Sequence, residues 1–294
     1  MNLKPIRIPR LLNLNHREAR HPNKLELNRT YIVGILNVTP DSFSDGNKYY
    51  RLSAAVSHAL EMIEDGADII DIGGESTRPG SKPVSLEVEC KRVIPVIENL
   101  VRIKPDILIS VDTYKSNVAE EAIKAGARII NDISGLGFDK QMVSVAARYK
   151  TPVILMHIKG TPQTMQINPT YRNLKAEIFD YFRKRINLAV KSGIDKKQII
   201  IDPGLGFGKR LEDNYKILGW LEELHKLGQA IMVGPSRKSF IGKLLGLPPQ
   251  ERIEGTAVAV TCAVLKGVQF IRVHDVKEIK RVITVVETIN KYAR

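Results

Sequence analysis

Short apolar runs recur along the chain, and each run ends at a polar residue that could contact a ligand. Helix-length stretches of mixed polar and apolar residues separate the runs. The runs are rich in β-branched residues and do not alternate between polar and apolar positions, which is typical of strands buried on both faces of a parallel sheet. There are eight of them: YIVGIL, ADIIDIG, ILISV, RIIN, PVILM, QIIID, QAIMVG and VQFIRV.

Strands that alternate with helices predict the α/β class, and eight such units predict a closed (β/α)8 TIM barrel. The active site of such a barrel lies at the carboxyl ends of its strands. The polar residues that follow the runs are therefore the first candidates for chemistry. They are Asn37, Glu75, Thr77, Asp112, Asn131, His157, Asp202, Ser236, Lys238, Arg272 and His274.

Glycine residues mark the ends of several predicted helices. Residues 51–65 have apolar positions at helical spacing and are followed by Gly66. Gly126 and Gly193 follow two further stretches with the same pattern. A glycine just beyond a helix is a frequent stop signal, so we expect each helix to end there and the next strand to begin.

The length of 294 residues and the absence of a Ser/Gly/Pro-rich linker favour one domain over residues 30–294, preceded by an extension of residues 1–29. The extension is expected either to be solvated or to form a hairpin, PIRIPRLL with KLELN, that closes the bottom of the barrel. No apolar run is long enough to span a membrane and no signal peptide is visible, so we expect a cytoplasmic protein. Cys90 and Cys262 are expected to be free, buried thiols.

The charge is strongly basic and unevenly distributed. The formal net charge is +13, of which residues 1–29 carry +5 through seven Lys and Arg and two Glu. A basic chain can bind nucleic acid, an acidic membrane or anionic small molecules. The chain shows no aromatic RNA platform, zinc finger or clustered basic helix, which disfavours nucleic acid. The acidic residues in the extension also disfavour a transit peptide.

One group of strand-end residues suits a flat heterocycle. Asp112, Asn131 and Asp202 offer acceptors, and Met156 and Phe207 offer an apolar wall. A carboxylate that faces an amidine-like N–C–N edge forms paired, charge-assisted hydrogen bonds. Either aspartate could instead cap the following helix, since Asp is a preferred N-cap. The glycines of GLGFGKR fit neither a dinucleotide fingerprint nor a P-loop, and a turn that exposes its phenylalanine is an equally good interpretation.

A second group suits an anion. It contains Arg78, Lys238, Arg272 and His274, with Asn37 nearby. The loops after the seventh and eighth barrel strands often bind phosphate. His274 could equally be structural, but it shares a strand face with Arg272 because it follows two residues later.

Hard oxygen ligands are also available near the anion group. Asn37 and possibly Asp45 fit a loosely held Mg2+ that bridges to phosphate oxygens. No cluster has zinc spacing, and no Ser-His-Asp elbow or reactive cysteine is visible. A heterocycle pocket that adjoins an anion pocket favours cleavage of a bond between the two, with diphosphate as the leaving group. His157 receives no role and is interpreted as structural.

Six motifs together resemble one family, the dihydropteroate synthases, over roughly residues 31–294. They stand in the family's order and are NVTPDSFSDG, DIGGESTRPGS, SVDTYK with GARIINDISG, DPGLGFGK, VGPSRKSFIG and IRVHDV. The resemblance implies a TIM barrel, usually a homodimer and a target of sulfonamides. It implies condensation of 6-hydroxymethyl-7,8-dihydropterin diphosphate with 4-aminobenzoate, which releases diphosphate and forms 7,8-dihydropteroate for folate biosynthesis. One departure is Asn47, where the family often has a second glycine.

The resemblance also implies roles for individual residues. Those implied for catalysis are Asp112, Lys238, Arg272 and His274. Those implied for pterin binding are Asp112, Asn131, Met156, Asp202, Phe207 and Lys238. Diphosphate would contact Asn37, Thr77, Arg272 and His274, while 4-aminobenzoate would contact Phe43, Thr77, Arg78, Pro79 and Ser236. Mg2+ would bind Asn37, with Asp45 as a possible second ligand. An SN1-like path is the favoured mechanism.

Three other functions are compatible with parts of the pattern. A pterin-binding methyltransferase domain would need no diphosphate site, and STRPGS, SRKSF and the pair Arg272 and His274 disfavour it. A non-catalytic homologue of a folate enzyme would not need the complete set of polar residues found here. A basic RNA-associated protein would reveal itself by salt-dependent retention of RNA.

Overall fold

The computed structural model of the chain describes residues 11–14, 24–39 and 48–293. Eight parallel strands close into a barrel in the order β10-β3-β4-β5-β6-β7-β8-β9, as the sequence predicts, and β1 and β2 form a separate antiparallel pair. The strands are β1 Leu11–Asn13, β2 Lys24–Glu26, β3 Tyr31–Asn37, β4 Ile69–Gly73, β5 Leu108–Asp112, β6 Ile129–Asp132, β7 Val153–Met156, β8 Ile199–Asp202, β9 Ala230–Val233 and β10 Phe270–Val273.

A helix follows each barrel strand, and two helices lie between β9 and β10. The helices are α1 Lys48–Glu64, α2 Leu86–Ile103, α3 Ser116–Ala125, α4 Met142–Tyr149, α5 Leu174–Lys191, α6 Leu211–Gly219, α7 Ser239–Leu245, α8 Ile253–Leu265 and α9 Val276–Tyr292. Among the residues that the structure describes, none of the helices combines the length and the apolar character needed to cross a membrane.

The continuous apolar runs form strands because both faces of the barrel wall are buried. In β4, Ile70 and Ile72 belong to the cluster that packs against the surrounding helices, whereas Ile69 belongs to the cluster inside the barrel. All five residues of β4 are buried. A wall with one solvated face would instead have required alternating polar residues.

The short strands before the barrel close its amino-terminal end. Leu12 of β1 pairs in register with Leu25 of β2, and both are buried together with Leu14 and Leu27. These four leucines pack against the first inward residues of the barrel strands, such as Phe270. The pairing predicted within the extension is confirmed for Leu11–Asn13 with Lys24–Glu26, whereas residues 5–10 of the predicted hairpin lie outside the described residues. Because this pair closes the amino-terminal end, a site is expected at the carboxyl ends of the strands.

Two details of the helices and cysteines refine the sequence interpretation. Gly126 ends α3 with φ +121°, and a Cβ there would lie 2.7 Å from Val101 Cγ2, so a side chain is excluded by conformation and by space. Helix α5 ends at Lys191, before Gly193. Both cysteines are free as expected, but neither is fully buried, since Cys90 is half-buried on α2 and Cys262 is exposed on α8.

Candidate active site

A cavity of about 480 Å3, which includes its open mouth, lies at the carboxyl ends of the strands. The structure brings ten of the residues singled out from the sequence into its lining. They are Thr77, Asp112, Asn131, Met156, Asp202, Phe207, Ser236, Lys238, Arg272 and His274. The two chemical groups inferred from the sequence thus share one cavity.

The Arg272 guanidinium is clamped by two carboxylates inside this cavity. Its Nε donates to Asp71 Oδ2 at 2.6 Å, and its Nη2 donates to Asp112 Oδ2 at 2.8 Å. Neither hydrogen bond uses Nη1. The two carboxylates raise the pKa of Arg272 against the effect of burial. The charge of Arg272 is therefore fixed, and its orientation is set before any ligand arrives.

Asp202 stands at the start of the glycine-rich loop. Its Oδ1 accepts the backbone N–H of Gly204 at 2.7 Å. Gly204 has φ +66°, and a Cβ there would lie 2.1 Å from the carbonyl oxygen of His157. The glycine thus allows the loop to pass directly over the end of β7, which turns Asp202 toward the cavity.

A buried lysine fastens the same loop to the end of β7. Lys209 Nζ donates to His157 Nδ1 at 2.9 Å and to the carbonyl oxygens of His157 at 3.1 Å and Phe207 at 2.9 Å. Burial lowers the pKa of Lys209 to about 7. Burial and the neighbouring Lys209 also lower the pKa of His157. His157 therefore has the structural role expected for it, but its lysine partner was missed from the sequence.

An apolar wall lies beside the polar groups. Met156 and Phe207 are buried in one cluster with Ile133. The Lys238 ammonium lies 4.3 Å from the centre of the Phe207 ring. Phe207 is only 8% exposed, so the interpretation of GLGFGKR as a turn that exposes its phenylalanine is wrong.

The loop that carries Ser236 and Lys238 is held in an unusual backbone conformation. Arg237, between them, has φ +55°, a region that costs energy for a residue with a side chain. Its guanidinium forms an ion pair with Asp275, with Nε 3.0 Å from Oδ2, and its carbonyl oxygen accepts a 2.9 Å hydrogen bond from Arg252. These contacts fix the loop from β9 against the end of β10.

Ser236 is engaged with His274. Ser236 Oγ accepts the backbone N–H of His274 at 3.2 Å and lies 3.0 Å from His274 Nδ1. The hydroxyl proton can be donated to Nδ1, an arrangement in which the ring carries its proton on Nε2. Burial, followed by Arg272, Arg237 and Lys238, lowers the pKa of His274 to about 3. His274 can therefore contact an anion as a neutral donor but not as a cation.

A buried network anchors the loop after β4. Glu75 accepts hydrogen bonds from Tyr114 Oη at 2.7 Å, Lys115 Nζ at 2.6 Å and the backbone N–H of Val84 at 2.8 Å. Lys115 also pairs with the buried Glu89. Because Glu75 and Val84 stand at the two ends of the loop, this carboxylate closes residues 76–83 into a compact unit.

Thr77 of this loop lines the cavity, whereas Arg78 and Pro79 are exposed and lie outside its lining. Asn37 is half-buried at the end of β3 and also lies outside the lining. Its register partner is Gly73, which pairs in turn with Asp112. Phe43 and Asp45 lie outside the described residues.

Burial dominates the ionisation of the charged residues in the cavity. It raises the pKa of Asp112 to about 7, against the opposing influence of Arg272. It raises the pKa of Asp202 to about 6 and lowers that of Lys238 to about 8. Such shifts are frequent at sites built for polar ligands.

The alternative that an aspartate merely caps the next helix is wrong for both candidates. The N-cap of α3 is Lys115 and that of α6 is Arg210. Asp112 instead pairs with Arg272, and Asp202 binds its own loop. Both carboxylates are thus available to a ligand in the cavity.

The sequence is similar to those of known proteins over most of its length. The family model described as "Pterin binding enzyme" matches residues 33–274. The dihydropteroate synthase of Bacillus subtilis is 50% identical over 253 residues, which cover 86% of this chain and 86% of that protein.

The fold is also similar to those of solved structures. The dihydropteroate synthase of Yersinia pestis in a sulfonamide complex has a TM-score of 0.86 and 46% identity, and covers 91% of this chain and 97% of that chain. The dihydropteroate synthase of Xanthomonas albilineans with 4-aminobenzoic acid has a TM-score of 0.87 and 41% identity, with coverages of 96% and 98%.

Proposed function

This chain belongs to the dihydropteroate synthase family of pterin-binding enzymes, and we propose on that premise how its cavity carries out the reaction. The reaction transfers a pterin-methyl group from diphosphate to 4-aminobenzoate, as a step of folate biosynthesis. The observation that carries the proposal is the position of Arg272. Asp71 and Asp112 hold its guanidinium in the cavity, between a side that suits a heterocycle and a side that suits an anion.

The pterin ring would lie against Met156 and Phe207. Asp202 would accept two N–H groups from the amidine-like edge of the ring, and Asn131 would accept another through its amide oxygen. All four residues line the cavity, and Asn131 and Asp202 are 3% and 4% exposed. Hydrogen bonds at such buried positions are not weakened by competing water.

The diphosphate would extend toward the ends of β9, β10 and β3. Lys238 and Arg272, whose Nη1 is used by neither carboxylate, would supply positive charge there, and a neutral His274 would supply an Nε2–H donor. The C–O bond between the pterin methylene carbon and the diphosphate breaks, and its electron pair leaves with the diphosphate. Asp112, held 2.8 Å from Arg272, would stabilise the pterin-methyl cation that this SN1-like step forms.

The amine nitrogen of 4-aminobenzoate then forms the new C–N bond with its lone pair and loses a proton to water. Thr77 is the one residue of the STRPGS loop that lines the cavity, so we place the aminobenzoate at that side. Arg78, Pro79 and Phe43 would join it there when the loops close over the substrate. Ser236 would contact the aminobenzoate at this side too, while its hydroxyl stays hydrogen-bonded to His274. Since sulfonamides resemble 4-aminobenzoate, we expect this protein to be a sulfonamide target.

The residues present are compatible with Mg2+ on the diphosphate. In the described part of the chain, no group of three or more His, Cys, Asp or Glu residues could hold a metal ion by itself. Mg2+ commonly binds one or two protein oxygens together with substrate phosphates and water. The amide oxygen of Asn37 would provide such a ligand, with Asp45 as a possible second. When bound, the ion would neutralise charge on the leaving diphosphate.

We further propose a homodimer, in which a second copy covers an exposed apolar face of α8 and α9. Val258, Cys262 and Leu265 follow one stripe of α8, and Val285, Ile289 and Tyr292 follow one stripe of α9. Val258 is 64% exposed and Tyr292 is 81% exposed. Sedimentation should give the mass of two chains, and Val258→Glu should give the mass of one. A parent protein that sediments as a monomer at micromolar concentration would refute the dimer.

A turnover assay tests the function. The protein with Mg2+, 4-aminobenzoate and 6-hydroxymethyl-7,8-dihydropterin diphosphate should form 7,8-dihydropteroate and diphosphate in equal amounts. The same pterin without diphosphate should give no product, because its hydroxyl is a poor leaving group. Failure to form dihydropteroate from the diphosphate would refute the proposed function.

A further inference from the structure

Asp71 is a fully buried carboxylate directly beneath the cavity. It is the third residue of β4, and its relative exposure is 0%. It does not belong to the cavity lining, so it does not contact a ligand there. Its Oδ1 is buried, and no hydrogen-bond partner for that atom is found within the described residues. A buried carboxylate is costly unless its partners compensate for it.

The partners of Asp71 come from both sides of the cavity. Asp71 Oδ2 accepts Arg272 Nε at 2.6 Å and Asn131 Nδ2 at 3.0 Å. Asn131 lies on the heterocycle side and Arg272 on the anion side. One oxygen atom therefore connects the two halves of the site.

We propose that Asp71 is a positioning residue that fixes which atoms of Asn131 and Arg272 face the substrate. The proposal rests on the proposed function, since it assigns the purpose of this arrangement to pterin diphosphate. Asp71 does not touch the substrate and acts only through these two side chains.

For Asn131, Asp71 fixes the orientation of the amide group. A carboxylate beside a guanidinium is an acceptor and has no proton to donate. Asn131 must therefore turn its NH2 group toward Asp71, because the flipped amide would place oxygen against oxygen. Its Oδ1 then faces the cavity as an acceptor for a ring N–H. Asp71 thus selects a ligand with a hydrogen-bond donor at this position.

For Arg272, Asp71 fixes the direction of the planar guanidinium group. Asp71 holds the Nε edge, which directs the Nη atoms toward Asp112 and the anion side. Without this anchor the guanidinium could rotate and pair with Asp112 in other ways. The fixed fork is ready for the diphosphate without further ordering, which favours binding.

Two substitutions separate positioning from a general contribution to folding. Asp71→Leu removes the acceptor, whereas Asp71→Asn keeps an oxygen that can accept from both donors but removes the charge. We expect Asp71→Leu to weaken binding of 6-hydroxymethylpterin at least tenfold, and Asp71→Asn to bind it within threefold of the parent. Inorganic diphosphate should bind Asp71→Asn as tightly as the parent or more tightly, because one counter-charge of Arg272 is gone.

Nuclear magnetic resonance gives a readout that does not depend on turnover. The Nε–H of Arg272 should be protected from exchange in the ligand-free parent and in Asp71→Asn, and unprotected in Asp71→Leu. Asp132→Asn is a matched control, since Asp132 is equally buried but accepts from Ser134 and Leu136 on the other face of the wall. It should lower the melting temperature and leave the Arg272 signal and pterin affinity unchanged.

The outcomes are distinct. Pterin binding by Asp71→Leu within threefold of the parent, or an Arg272 signal that stays protected in it, would overturn the proposal. If Asp71→Leu does not fold, Asp71→Asn decides, and a tenfold loss of either ligand by that variant overturns the proposal. A parent protein that binds no pterin would instead refute the proposed function.

Discussion

Replacing Asp202 with asparagine should separate pterin binding from stability, because the same buried carboxylate favours one and disfavours the other. Gly204 N–H already donates to Asp202 Oδ1. In the variant the amide oxygen must keep that bond, so the NH2 group faces the ligand. A ring N–H then meets a donor where it previously met an acceptor.

The expected loss of affinity follows from two effects. One charge-assisted hydrogen bond is lost, worth about 1.5–3 kcal/mol, and one ligand donor is left unpaired at a cost of about 1–3 kcal/mol. At roughly 1.4 kcal/mol per factor of ten, a combined loss of about 2.5–6 kcal/mol corresponds to pterin binding that is weaker by roughly 60-fold or more. Asp202 is 4% exposed, so water does not reduce this difference.

The stability should change in the opposite direction. Burial raises the pKa of Asp202 to about 6 from its ordinary value of 3.8, so the ionised form is disfavoured in the folded protein. At about 1.36 kcal/mol per pH unit, the ionised carboxylate lowers the free energy of unfolding by up to about 3 kcal/mol above pH 6. This penalty disappears below pH 4, where the group is protonated in both the folded and unfolded states.

Calorimetric titration with 6-hydroxymethylpterin and urea unfolding at pH 8 and pH 4 measure both effects. Asp202→Asn should bind weakly and be more stable than the parent at pH 8, with the stability gain absent at pH 4. Asp213→Asn is the control, since Asp213 is also buried but binds Arg210 at the start of α6. The reasoning is refuted if Asp202→Asn binds pterin within threefold of the parent.

Three further predictions concern the other parts of the site. Arg272→Ala should weaken diphosphate binding by roughly 30-fold or more, because it removes one member of a buried charge pair, and it should weaken binding of free pterin far less. Equal losses of affinity for the two ligands, measured by titration, would contradict the division of the cavity into two sides. Glu75→Gln should weaken the anchoring of residues 76–83 and so raise the KM for 4-aminobenzoate several-fold, with pterin affinity unchanged. A variant that loses pterin affinity selectively would refute the role of Glu75 as the anchor of this loop. Pterin affinity should begin to fall near pH 7, where Asp112 with its pKa of about 7 becomes protonated, and should fall at least about tenfold per pH unit below pH 6 as Asp202 is protonated too. His274 should add no change, because its pKa of about 3 lies below this range. Constant affinity down to pH 5 would contradict the raised pKa values.

The barrel and the ligand-facing side chains could be predicted because each depends on a local pattern. A strand buried on both faces leaves a continuous apolar run, and the polar residue that ends the run marks the open end of the barrel. Asp112, Asn131 and Asp202 are brought together by this rule alone. The hairpin at the other end was predictable from its leucines, which needed an apolar surface to cover.

The partners beneath the site could not be predicted from such patterns. Asp71 stands inside the run ADIIDIG, and its partner Arg272 is 201 positions away along the chain, so only barrel closure brings them together. Lys209 resembles a solvated charge in the sequence, yet it is buried under the glycine-rich loop. Arg78 and Pro79 are exposed. The way in which a loop is anchored decides which of its side chains enter the cavity, and the pattern of apolar and polar residues does not encode that anchoring.

In the proposed reaction, the bond between the pterin methylene carbon and the diphosphate breaks before the aminobenzoate attacks. The most direct test is diphosphate release in a single turnover from the pterin diphosphate with Mg2+ and without 4-aminobenzoate. The parent should release diphosphate under these conditions, and Asp112→Asn should release it at least tenfold more slowly, because the cation loses its nearest carboxylate. An unchanged rate in Asp112→Asn, or release by the parent only when 4-aminobenzoate is present, would contradict the account.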